Sequence, residues 1–157
     1  MKKYVSIIFL LFFSSLIYSE GSFSKSFQSY YESRLSKLMM LSNVKDLQRT
    51  HWIPKLETNN LDFKDYLEQT MQEELIFLSN NQLLIINTGV SCAYSDKIDE
   101  YIFDTIFISI FSEFEYKILN DEEIDCSKYQ IKLLNDELYV QDKSNNTVRV
   151  YVISNVF

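Results

Sequence analysis

Glycine, proline, histidine and cysteine are all scarce in this chain. Its 157 residues include two glycines (Gly21 and Gly89), one proline (Pro54), one histidine (His51) and two cysteines. These glycines do not form a P-loop, a dinucleotide-binding glycine motif, an EF-hand loop or the glycine-flanked serine of a hydrolase. A single histidine also excludes a zinc site that needs two. The familiar motifs of nucleotide, calcium, zinc and serine-hydrolase sites are therefore excluded.

The beginning of the chain has the three-part pattern of a secretory signal peptide. Lys2 and Lys3 are followed by an apolar stretch over residues 5–17. The next residues, Ser19-Glu20-Gly21, include small side chains that suit cleavage either after Ser19 or before Ser22. We expect residues 1–19 to be a signal peptide and residues 20–157 to form one domain.

The alternative interpretation of this stretch is an uncleaved membrane anchor. A spanning helix needs roughly 20 apolar residues, and residues 5–17 are shorter than that and are followed by polar side chains. We therefore expect a periplasmic or secreted protein with no membrane span after cleavage.

Both cysteines, Cys92 and Cys126, lie in the predicted mature domain. An even number of cysteines in an exported protein indicates a disulfide. We predict an intramolecular bond between them, with a bridge between two copies of the chain or two free buried thiols as alternatives.

Acidic residues outnumber basic ones, 22 against 15, which gives a formal net charge of −7. Such a charge repels nucleic acids and anionic membranes and favours a basic protein as partner. The densest acidic run is predicted to be an interaction face and consists of Asp121, Glu122, Glu123 and Asp125. Calcium binding by this run is an alternative, although it lacks the glycine of a calcium loop. The alternative explanation of the high net charge is that it only keeps the protein in solution and serves no partner.

Helical spacing of apolar residues predicts a helix within residues 22–41, and Asn60 is a plausible N-cap for a second helix. Two apolar runs around Asn80-Asn81 predict a hairpin, because asparagine tolerates the positive φ of a tight turn. Ser95 is a plausible cap of a short third helix.

Alternating apolar residues over residues 106–118 predict a long strand, bent or bulged because of its length. Three shorter strands are predicted at residues 129–134, 138–141 and 147–153. The expected fold is α+β, in the order α-α-β-β-α-β-β-β-β, with the helices packed on one face of a curved antiparallel sheet. This order is similar to that of the cone-shaped NTF2-like domains, a resemblance that implies a pocket between helices and sheet.

The sequence favours a non-enzymatic binding or accessory domain, such as an inhibitor or immunity protein with an acidic interaction face. It predicts no catalytic residues, metal or cofactor. An enzyme or small-molecule carrier is the alternative, with His51 as the one side chain suited to acid–base catalysis near neutral pH. A structural envelope component is a third interpretation.

Overall fold

The described part of the chain is built around a closed antiparallel barrel. The computed structural model describes residues 23, 25–36, 41–56 and 71–155. Residues 25–34 are helical, as is Phe23 (helix α1), and Val44–Leu47 form a 3-10 helix, η1. The strands are β1 (Thr50–Pro54), β2 (Met71–Phe77), β3 (Gln82–Ser95), β4 (Glu100–Ile118), β5 (Glu123–Cys126), β6 (Tyr129–Leu134), β7 (Glu137–Asp142) and β8 (Val148–Ile153).

Each strand in this barrel pairs with its neighbours in chain order, and β8 returns to pair with β1. Alternate residues point inward, as in β6, where Tyr129, Ile131 and Leu133 are buried. Barrels of about eight strands have an interior that side chains can fill. Here Trp52, Phe77 and the other inward residues form one continuous hydrophobic core.

Helix η1 covers one end of the barrel. Its Val44 and Leu47 are completely buried and belong to the barrel core. The Val44 N–H donates to the Asp121 carbonyl (2.9 Å), and Asn43 caps the helix by accepting from the Lys45 N–H. This end of the barrel is therefore sealed by apolar side chains.

The expectation of an α+β fold with helices on one face of an open sheet was wrong. The sheet closes on itself, because Trp52 of β1 pairs with Ile153 of β8, and the NTF2-like cone is wrong for the same reason. Helix α1 confirms the first predicted helix over residues 25–34. The second predicted helix lies outside the described residues, apart from Met71, which begins β2.

Two further predictions were wrong at the local level. The short helix expected after Ser95 is instead the turn of the β3–β4 hairpin, where Asp99 has φ 54°. The acidic run was expected to be a loop, but Glu123–Cys126 form β5. The connection that contains His51 is strand β1.

The predicted strands and asparagine turns are confirmed. Asn81 turns the β2–β3 hairpin at φ 59°, and Asn135 with Asp136, both at positive φ, form the two-residue turn between β6 and β7. The predicted irregularity in the long strand is confirmed by two register shifts in the β3–β4 pairing, at Ile85/Ile86 and Asn87/Thr88.

Strands β3 and β4 are longer than the other strands and extend beyond the barrel as a hairpin. Helix α1 packs on one side of this extension. The ring centroids of Phe23 and Phe27 each lie 5.2 Å from the ring centroid of Phe103, in edge-to-face contacts. The Tyr30 hydroxyl shares a 2.5 Å hydrogen bond with Thr105. These contacts hold α1 against the β4 strand of the extension.

Candidate functional site

A buried ion-pair cluster lies between α1 and the outer surface of the barrel, with Glu74 at its centre. Glu74 is completely buried. Arg34 donates from Nη1 and Nη2 to the two carboxylate oxygens of Glu74, at 3.0 and 3.1 Å. Thr88 donates to Oε1 at 2.6 Å, and His51 Nε2 lies 2.6 Å from Oε2. Both carboxylate oxygens therefore have two partners each.

Strand alternation explains why this carboxylate is outside the core. Leu75 and Phe77 of β2 point into the barrel, so Glu74 points outward. An outward glutamate would normally be solvated, but α1 covers it and supplies Arg34. His51 and Thr88 come from the neighbouring strands β1 and β3. Three strands and the helix thus converge on one side chain.

The surroundings of Glu74 hold it in the charged form. Burial by itself raises the pKa of this carboxyl group, but hydrogen bonds from His51, Arg34 and Thr88 lower it more, to about 2. An ionised carboxylate with all its hydrogen bonds made inside the protein has no free lone pair for a substrate. The cluster is therefore suited to fastening α1 to the barrel rather than to acid–base catalysis.

Sequence reasoning singled out His51 but missed Glu74 and Arg34. The available signal was the position of Glu74 directly before an apolar run, where alternation places it on the outer face. Arg34 and Glu74 are 40 residues apart, so their pairing depends on the docking of α1.

A second polar group lies at the end of the barrel opposite η1. Arg149 Nη1 donates to Glu73 Oε2 at 2.8 Å, near Tyr129, Asp142 and Tyr151. The cavity between these side chains is about 30 Å³, enough for about two water molecules. This space is too small for an organic ligand.

The two cysteines lie on opposite sides of the barrel wall, and both are free thiols in the structure. Cys126 points inward and belongs to the core, opposite Tyr116. Cys92 belongs to the outward cluster with Phe23 and Phe27, where burial raises the pKa of its thiol. The predicted Cys92–Cys126 disulfide is therefore not formed in the structure.

The predicted interaction face at residues 121–125 is largely neutralised by lysines. Asp121 pairs with Lys45 at 3.4 Å, Glu123 with Lys132 at 3.2 Å and Asp125 with Lys143 at 2.6 Å. Glu122 is exposed at the β4–β5 turn. The four carboxylates are also spread out, since Asp121 is near η1 whereas Asp125 is near the β7–β8 turn. They do not form one acidic surface.

The carboxylates of the β3–β4 hairpin have a different environment. Residues 96–115 contain six acidic residues and one lysine. All six are exposed, and they are Asp96, Asp99, Glu100, Asp104, Glu113 and Glu115. Within the described ranges none of them forms an ion pair; Asp99 accepts a hydrogen bond from Tyr94. The hairpin is the strongest uncompensated negative surface in this part of the chain.

The same hairpin carries most of the large apolar side chains that are exposed. They are Tyr94, Ile98, Ile102, Ile106, Phe107, Ile108 and Ile110, each about half exposed or more. Exposed apolar patches on a soluble domain mark interaction sites more often than single exposed residues do. We call the exposed side chains of residues 96–115 the hairpin surface; it is the candidate interaction site.

Neither a metal centre nor a spanning helix was found in the described ranges. There, no three His, Cys, Asp or Glu side chains are grouped to hold a metal ion. None of the helices described has the length and apolar character needed to cross a membrane. Comparisons with protein-family models, with curated proteins and with solved structures found no match to this chain.

Proposed function

We propose that this protein is an exported, non-enzymatic binding domain whose hairpin surface binds a basic protein. The observation that carries the proposal is the set of six exposed carboxylates on the hairpin, which have no ion-pair partner among the described residues. Unpaired charges on an exposed element attract an oppositely charged partner and speed its association. An inhibitor or immunity protein that caps a basic partner is one form of this function.

The interior of the barrel and the surroundings of His51 support binding over catalysis. His51 is buried against Glu74, and that carboxylate is already fully hydrogen-bonded. The contact between α1 and the hairpin, where the sequence predicted a pocket between helices and sheet, is filled by Phe27 and Phe103. The six carboxylates of the hairpin are by contrast exposed.

Binding to a simple polycation tests the charge of the hairpin surface. We expect polylysine to bind in 50 mM salt and polyglutamate not to bind, with affinity for polylysine falling more than about tenfold by 300 mM salt because exposed charges are screened. Fluorescence anisotropy of labelled polymers measures both affinities. Binding that is indifferent to salt would contradict an electrostatic surface.

Two triple variants with the same change in net charge locate the binding surface. Asp104→Asn, Glu113→Gln and Glu115→Gln remove hairpin charges, whereas Asp121→Asn, Glu123→Gln and Asp125→Asn remove lysine-paired ones. We expect the hairpin variant to bind polylysine about tenfold more weakly, since each exposed pair contributes a few tenths of a kcal/mol or more. The second variant should change affinity less than about threefold. A larger loss in the second variant would move the site to residues 121–125.

Export is the other half of the proposal, and residues 1–19, on which it depends, lie outside the described residues. We expect the protein recovered from outside the cytoplasm to begin at Glu20 or Ser22, which intact-mass spectrometry determines. A Leu10→Arg variant, whose charge interrupts the apolar stretch, should keep Met1 and remain in the cell. Wild-type protein that still carries Met1 would contradict export.

A further inference from the structure

Strand β4 has a long edge without a strand partner in the described part of the chain. It pairs with β3 from Glu100 to Glu115, but β5 pairs only with Tyr116, Lys117 and Ile118. Along the rest of β4, one edge carries N–H and C=O groups that no described strand uses. Such an edge is a template for another strand.

The most regular part of this edge is the stretch from Glu100 to Phe107. The register shifts in the β3–β4 pairing leave Ile108 and Phe111 without direct partners on β3, so the longest uninterrupted part of the ladder runs from Glu100 to Phe107. Eight residues are enough to pair with a strand of ordinary length, which is five to six residues.

Both faces of this edge carry apolar side chains. Ile102 and Ile106 are 50% exposed on one face, and Tyr101 and Phe103 on the other face pack toward α1. Strands that are apolar on both faces are typical of positions inside a sheet, whereas edges normally carry charges or proline. The side chains of β4 are therefore suited to having another strand beside them.

Charge identifies the occupant as a basic segment rather than a second copy of this chain. Glu100 and Asp104 lie on the edge itself, and residues 98–116 contain no lysine or arginine. Two hairpins pairing edge to edge would bring like charges together, which destabilises cross-strand pairs. A basic segment fits this edge better. Its lysine or arginine side chains would pair with these carboxylates, and its apolar side chains would pack against Ile102 and Ile106.

We propose that the partner contributes an extended segment, alternating basic and apolar residues, that adds as a strand to the Glu100–Phe107 edge of β4. This inference rests on the proposed function and specifies how the basic partner is held. Main-chain hydrogen bonds to β4 supply affinity, and alternate side chains supply specificity.

A blocked eight-residue peptide that alternates lysine and valine is the probe. Two modified forms are compared with it: one carries backbone N-methyl groups at the odd positions, and the other carries them at the even positions. Each N-methyl group removes one main-chain N–H donor without changing the charge of the peptide. We expect the parent peptide to bind and one methylated form to bind at least about tenfold more weakly, because a strand pairs through one edge. Fluorescence anisotropy measures all three.

Equal binding of all three peptides would overturn strand addition while leaving the acidic surface intact. No binding of the parent peptide would overturn it too, and the polylysine experiment then decides the proposed function separately. A wild-type dimer in sedimentation that Ile106→Lys abolishes would identify a second copy as the occupant instead.

The variant Ile106→Lys tests the location of the edge, because a lysine there interrupts the apolar contact and repels the basic peptide. Val148→Lys is the matched control, since Val148 is also about half exposed, at 56%, but lies on β8. We expect about tenfold weaker peptide binding for Ile106→Lys and less than a twofold change for Val148→Lys. Unchanged far-ultraviolet circular dichroism shows that both variants fold, and equal losses in the two would overturn the location.

Discussion

Replacing Glu74 by alanine should lower the free energy of unfolding by about 3 to 5 kcal/mol, the usual effect of removing one member of a buried ion pair. The change leaves the guanidinium of Arg34, which is 8% exposed, without its carboxylate partner. It also removes a hydrogen bond from Thr88 and one from His51. Helix α1 then keeps its aromatic contacts and its hydrogen bonds from Tyr30 and Tyr31 to the strands, but loses its buried ion pair.

Urea denaturation followed by circular dichroism measures this loss. The matched control replaces both members of the pair, Arg34→Met with Glu74→Leu, because apolar side chains of similar size avoid an unpaired buried charge. We expect the double variant to be more stable than Glu74→Ala. A loss below about 1 kcal/mol in Glu74→Ala would mean that the cluster contributes little to stability.

The same carboxylate gives the fold a dependence on acid pH. Burial alone raises the pKa of Glu74, but the hydrogen bonds of the cluster lower it to about 2, below the usual 4.5. A lowered folded-state pKa stabilises the protein fully above about pH 4.5, and this contribution is lost as the pH falls toward 2. In Glu74→Gln, the slope of unfolding free energy against pH in this range should be smaller than in the wild type.

Replacing Trp52 by alanine should also cost about 3 to 5 kcal/mol, the range for deleting a large buried aromatic side chain. Trp52 is completely buried in the barrel core, and its indole N–H donates to Thr50 Oγ1 at 2.7 Å. Its loss leaves a cavity in β1, which closes the barrel by pairing with β8.

Denaturation measured by circular dichroism tests this, because Trp52 is the only tryptophan and its fluorescence is lost in the variant. Val148→Ala is the control, since that side chain is more than half exposed and exposed substitutions usually change stability by less than about 0.5 kcal/mol. Equal stability losses in the two variants would contradict the assignment of Trp52 to the core.

Local patterns predicted most of the strands, because alternation and asparagine turns act over a few residues. Residues 106–118 were recognised as a strand from apolar residues at even positions, and Asn135-Asp136 as a turn. Strand β1 was not predicted because it is only five residues long and both of its faces are covered. Every residue except Pro54 is buried, so the strand lacks the alternation of apolar and polar side chains that marks a half-exposed strand. Strand β5 was hidden because its outward residues, Glu123 and Asp125, made the segment resemble a solvated loop.

Closure of the barrel and the Glu74 cluster depend on contacts that short patterns do not carry. Closure comes from pairing β1 with β8, about 100 residues apart in the sequence. The cluster needs α1 to dock before Arg34 can reach Glu74. The disulfide prediction was based only on the even number of cysteines and on the predicted export of the protein. Neither of these shows that the barrel wall separates Cys92 from Cys126.

Pairing of the earliest barrel strand with the last described one also has a consequence for the order of folding. Until residues 148–153 have left the ribosome or the export channel, β1 and β7 each lack the partner strand that β8 supplies in the finished fold. The nascent chain therefore cannot complete its fold strand by strand as it emerges, and the final cooperative step waits for the arrival of Ile153. Until then the exposed edges are open to pairing with other incompletely folded chains, which makes this interval the one in which a chaperone has most to protect.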